Sequence, residues 1–141
     1  MTKLQDIAEL LVASWVLSTT ANSDVDMLPT SHGLLDLALE RALKAGAFPN
    51  SWRDRLHFVD SRIGLQCVEL QAVIDVAQRA EFTSEPNPSY KATRVKIGPR
   101  AAKALLRRHG IEEDRAKDWG AQLHRAVAEA KANLEQFPIG A

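Results

Sequence analysis

Leu4, Ile7, Ala8, Leu11, Val12, Trp15 and Val16 recur at helical spacing, which predicts an amphipathic helix over residues 3–18 with a broad apolar face in need of a partner surface. The next stretch, Ser18 to Pro29, is polar and turn-forming and reads as a loop. Thr30 or Ser31 can then cap a second helix from about Gly33 to Ala45, ended by Gly46 with Phe48-Pro49 at its exit. Ser51 to Phe58 fits either a short helix capped by Ser51 or a strand in which Leu56, Phe58 and Asp60 alternate; the helix is favoured. Val59 to Gly64 reads as a turn. From Val68 onward, Leu70, Val73, Ile74, Ala77 and Ala80 mark a mostly buried helix.

Glu85 to Ser89 contains two prolines and cannot continue that helix, whereas Tyr90 to Ile97 is rich in β-branched and aromatic residues. With Phe82-Thr83-Ser84 as the first strand, this is a hairpin pattern with a five-residue loop. Alternation turns Val95 and Ile97 inward and Arg94 and Lys96 outward. Gly98-Pro99 opens another helix, with proline where its missing N–H costs nothing. Ala102, Leu105 and Leu106 form its apolar side, and Arg100, Lys103 and Arg107 align on another. After Gly110, Glu112-Glu113-Asp114 precede a last helix to about Gln136, with Trp119, Leu123, Ala126, Val127, Ala130 and Leu134 on one stripe.

The chain is therefore expected to be one mainly α domain of 141 residues with a small β-hairpin, its 45% apolar content being enough for a sizeable core. The net charge of zero hides an asymmetry. Residues 1–85 carry seven Lys/Arg against twelve Asp/Glu, while 86–141 carry eleven against six. The densest basic run is Tyr90 to Gly110, with Lys91, Arg94, Lys96, Arg100, Lys103, Arg107 and Arg108 and no carboxylate. Such a run suits a phosphate backbone, and it equally suits a solvated face or pairing with the acidic half. Tyr90 can stack on a base or close the hairpin over the core, the latter being favoured.

The lone Cys67 excludes an intrachain disulfide, so a reducing compartment, the cytoplasm, is expected. The apolar run Leu10 to Leu17 is too short to span a bilayer, and Asp6 and Glu9 stand where a secretion signal carries positive charge. No membrane association is expected. His57, Asp60 and Cys67 come nearest to a catalytic or metal cluster, but their spacing supplies neither an activated thiol nor a zinc ligand set. No phosphate loop, dinucleotide fingerprint, nucleophile elbow or zinc-protease motif occurs, so neither an enzyme nor a cofactor is expected. Trp15 and Trp119 belong to apolar stripes, and Trp52, beside Arg53 and Asp54, reads as partly exposed.

Ala77 to Arg108 resembles the wing region of winged helix-turn-helix regulators of the MarR and PadR type. The matching parts are Phe82, Asn87-Pro88-Ser89, Arg94-Val95-Lys96-Ile97, Gly98-Pro99-Arg100 and Leu105-Leu106. The resemblance implies a winged-helix-like core over 30–110, flanked by an N-terminal helix (1–18) and a C-terminal helix (111–137). It implies dimerisation through those terminal helices and binding of duplex DNA as a transcriptional regulator. Ser51 to Phe58 would be the first helix of the motif and Val68 to Arg79 the recognition helix. Arg94, Lys96, Arg100, Lys103 and Arg107 would then contact phosphates, and Gln71 and Gln78 would meet base edges. Glu69 and Asp75 depart from that pattern, because carboxylates on a recognition helix repel the backbone. They favour an alternative in which the same scaffold docks an acidic protein partner or a sister subunit.

Overall fold

The computed structural model describes residues 3–18, 27–29, 34–62, 64–80, 83 and 92–136, with only the backbone of 27–29, 92–94 and 133–136. Six helices carry most of it: α1 (Leu4–Leu17), α2 (Leu34–Lys44), α3 (Ser51–Arg55), α4 (Leu70–Arg79), α5 (Pro99–His109) and α6 (Glu113–Gln136). Among the described residues there are also four short strands: β1 (Met27–Pro29), β2 (Phe58–Ser61), β3 (Gly64–Cys67) and β4 (Ala92–Arg94). The expectation of a mainly α chain with a small antiparallel hairpin holds.

The central element is α1. Every residue from Ile7 to Val16 is buried, and α4, α5 and α6 pack around it while α2 lies on α6 and β3. The run LLVASWV has no polar side to turn to water, and a helix apolar all round must sit inside. The sequence pattern predicts a one-sided amphipathic helix; the structure surrounds it. The expected stripe of α6 is buried on one side of that helix at Trp119, Leu123, Ala126, Val127 and Ala130, with Ala116 added to it; the Leu134 side chain lies outside the described residues. The apolar faces of the two terminal helices, through which the resemblance implies a dimer, are buried within a single chain.

Gly120 explains how closely α6 approaches. A Cβ at that position would lie well inside 3.0 Å of the Ser14 carbonyl oxygen and of Ser18 Cβ and Oγ. Ser18 also hydroxyl-bonds across the crossing, donating to the Lys117 carbonyl at 2.6 Å. One turn further along α6 His124 stacks on Trp15 with centroids 3.6 Å apart, and its Nε2 lies 3.0 Å from the Trp15 carbonyl oxygen.

Two local readings are corrected. Val59 to Gly64, expected as a turn, belongs to a β-hairpin in which Phe58 pairs with Cys67 and Ser61 with Gly64. Gly64 sits at φ +112, a left-handed value that glycine adopts without a Cβ penalty. Trp52, expected to be partly exposed, is 1% exposed and stacks on Phe48 at 4.3 Å. Phe48 itself has φ +65, a strained value for a bulky residue, held by burial of its ring between Trp52 and Trp119.

The wing strand is present in part and has a different main partner. β4 pairs antiparallel with β1, drawn from the stretch expected to be loop, with Met27 opposite Arg94. One antiparallel bridge, Thr83 to Val95, links it to the expected first strand. Phe82, the tip Asn87-Pro88-Ser89, Tyr90 and Lys91 lie outside the described residues. Between α3 and α4, residues 56–69 hold the β2–β3 hairpin, where a helix-turn-helix uses a turn of three or four residues.

Candidate nucleic-acid interface

Helix α5 is delimited by its own sequence. Gly98 adopts an extended N-cap conformation, Pro99 occupies the first turn, and Gly110 ends the helix in the left-handed region at φ +66. The Gly110 N–H donates to the Arg107 carbonyl at 3.2 Å, and that of Ile111 donates to the Leu106 carbonyl at 3.0 Å, which satisfies the last turn. Ala102, Leu105 and Leu106 are buried against α1. The opposite side, Arg100, Ala101, Lys103, Ala104, Arg107 and Arg108, is exposed, and Lys96 is exposed just before the helix. α5 contains no carboxylate.

These cations are not equivalent. Arg108 reaches back to Glu9, with its guanidinium 3.3 Å from Oε2, and Lys103 lies 3.4 Å from Glu113 Oε1. Lys96, Arg100 and Arg107 make no ion pair among the described residues. Arg94 lies on β4 and its side chain is outside the described residues. The structure therefore gathers Lys96, Arg100, Lys103 and Arg107 in and beside one helix, at the spacing read from the sequence.

The two glutamines expected to meet base edges stand on α4. Gln71 is exposed, but its amide donates to Asp75 at 3.0 Å on the next turn. Gln78 is half-buried, and its Nε2 is buried without a hydrogen-bond partner among the described residues. Glu69 is directed inward, accepting the His57 backbone N–H at 2.7 Å and lying 2.6 Å from His57 Nδ1. Burial raises the Glu69 pKa, and these His57 hydrogen bonds overcome that and hold it below the usual carboxylate value. Glu69 thus acts as a clamp between the hairpin and α4.

The cluster of His57, Asp60 and Cys67 is divided by the same carboxylate. Glu69 Oε1 lies 3.9 Å from Cys67 Sγ, and its Oε2 faces the imidazole. Asp60 is exposed on β2, opposite Leu65. Burial, with the charges of Glu69 and Asp36 added, pushes the Cys67 thiol up to about 11. Asp36 accepts the Cys67 backbone N–H at 2.6 Å, and its own pKa is raised by burial. A nucleophilic cysteine needs the reverse environment.

Three further groups escaped the sequence reading. Glu9, 1% exposed, is pinned by Arg108 and by His109, whose Nε2 lies 2.8 Å from Oε1. Asp6, Glu9 and His109 bring donor atoms within 4.8 Å of one another, but Asp6 also accepts the Lys3 N–H at the start of α1. The arrangement ties the C-terminus of α5 to α1. A charged residue inside an otherwise apolar stretch was the available signal for Glu9. Glu113 holds both Lys103 and Lys117, the latter at 3.2 Å. Arg41, Asp118, Gln122, Arg125 and Glu129 line an open cleft of about 480 Å³ between α2 and α6.

No helix among the described residues is long and apolar enough to cross a membrane. No family model matches the chain, and neither the curated proteins nor the solved structures give a significant match.

Proposed function

We propose that this protein is a non-catalytic regulator that binds duplex DNA through the phosphate backbone, using the exposed side of α5. The observation that carries the reading is the carboxylate-free row of Arg100, Lys103 and Arg107, continued by Lys96 and backed by an apolar face fixed on α1. A helix already fixed on α1 needs no backbone ordering to meet phosphates, and its cations release condensed counterions from the duplex. The self-paired Gln71 and the half-buried Gln78 support recognition of backbone and shape with little base discrimination. The elevated Cys67 thiol pKa supports the absence of a nucleophilic centre at the only cysteine.

Titrating a short mixed-sequence duplex at several salt concentrations tests this. Four phosphate contacts give a slope of log K against log salt of roughly −3.6, and combined R100E, K103E and R107E changes abolish binding. Absence of any salt-sensitive binding by the unmodified chain refutes the reading. If the reversed chain instead loses an association with itself or with an acidic protein, the partner of α5 is a protein surface.

A further inference from the structure

The basic side of α5 does not end at α5. The Glu113 carboxylate, in the first turn of α6, lies 3.4 Å from Lys103 Nζ and 3.2 Å from Lys117 Nζ, with both ammonium groups directed at the same oxygen, Oε1. All three side chains are open to water, at 47%, 41% and 49% exposure for Lys103, Glu113 and Lys117. The Lys117 hydrogen bond, with help from Lys103, holds the Glu113 carboxyl below its ordinary pKa, so it is ionised throughout the neutral range. Two ammonium groups converging from different helices on one anionic oxygen is a geometry that a phosphate oxygen can occupy equally well.

We propose that Glu113 is an internal surrogate for a DNA phosphate: it holds Lys103 and Lys117 at the position where the duplex backbone passes from α5 onto α6, and it competes with that backbone. This rests on the DNA-binding reading above. It extends the contact surface to Lys117, which the sequence placed in a different helix and outside the basic run. The pair is well suited to exchange. Exposed ion pairs in high dielectric are weak, so a polyanion that also meets Lys96, Arg100 and Arg107 displaces the carboxylate readily. Glu113 then lowers affinity for duplex and steepens the preference for a continuous phosphate backbone over isolated anions.

The test compares Glu113→Gln with Glu112→Gln, using the same mixed-sequence duplex over a range of sodium chloride. Glu112 is the neighbouring exposed carboxylate and has no ion pair among the described residues, so its removal changes net charge by the same amount without freeing a lysine. The expected result is that E113Q binds roughly five- to ten-fold tighter at 0.1 M salt with the same slope, because the same phosphates are met and the two exposed ion pairs no longer have to be broken. E112Q should remain within about two-fold of the unmodified chain, because it removes an exposed charge that acts only through solvent and releases no lysine. Adding Lys117→Ala to E113Q should remove the gain. Equal effects of E113Q and E112Q, or a gain that survives K117A, overturn the surrogate role while leaving DNA binding in place. Failure of the unmodified chain and of E113Q alike to bind duplex overturns both.

Discussion

Replacing Gly120 with alanine separates two opposing effects whose sizes are known. On an exposed helix the change stabilises by about 1 kcal/mol, because alanine loses less backbone entropy than glycine. Here the added methyl would collide with the Ser14 carbonyl oxygen and with Ser18 Cβ and Oγ. Ser18 Oγ can rotate away, whereas the Ser14 oxygen belongs to the backbone of a helix buried on all sides. α6 must therefore lift from α1, loosening the packing around Trp119 and Leu123. Overpacking of this kind costs about 1–3 kcal/mol, and a collision with the backbone of an enclosed helix lies at the upper end, which leaves a net loss of about 2 kcal/mol after the propensity gain. With an unfolding entropy near 2.1 cal/mol/K per residue over 141 residues, that net loss lowers the melting temperature by about 7 °C. Thermal unfolding followed by circular dichroism measures it directly. G120A should be less stable than the unmodified chain, and S18A should fail to restore it because the carbonyl contact persists. A G120A chain as stable as the original, or more so, would refute the close crossing of α1 and α6.

Two further outcomes concern protonation. Burial lowers the pKa of His124 against the opposing effect of its contact with the Trp15 carbonyl, so the folded state favours the neutral ring. The unfolded chain then binds the proton more readily, and this contribution is complete above about pH 6.5 and lost as pH falls through the lower folded value. Urea midpoints between pH 7.5 and 5 should show a smaller acid-side decline in H124Q than in the unmodified chain; equal declines would rule out His124 as a source. With Cys67 at about 11, only about one thiol in a thousand is ionised at pH 8. Reaction with a disulfide reagent should be slow in the folded chain and fast in denaturant, and rapid labelling of the folded chain would contradict its burial.

Much of the helical framework was legible because periodicity reports local amphipathicity. Leu70, Val73, Ile74 and Ala77 on α4, and Ala102, Leu105 and Leu106 on α5, are buried as their spacing predicts. The ends of α5 were equally readable, since proline in the first turn and a left-handed glycine after the last act within a few residues. Strand pairing was not. Met27 to Pro29 join Ala92 to Arg94 across more than sixty residues, and no local pattern names a distant partner. The β2–β3 hairpin was missed because alternation at Leu56, Phe58 and Asp60 does not continue into Val59 to Gly64, and among the described residues of 58–67 Cys67 alone is buried while Val59 is exposed. The cations of α5 were found by spacing, whereas Gln71 and Gln78 were assigned by residue type alone, and only the structure shows one bonded to Asp75 and the other half-buried.

The amino-acid sequence by itself determined where helices form, which of their faces are apolar, and that a carboxylate-free basic run occupies one of them. These follow from covalent order and side-chain chemistry over a few turns. Only the tertiary structure decided that α1 is enclosed on all sides and that Gly120 lets α6 approach the α1 backbone. It also decided that Glu9 withdraws Arg108 from the basic face, and that Glu113 joins Lys103 to Lys117. Each of these depends on groups far apart in the chain or on different helices, and their distances are set by how the whole core packs.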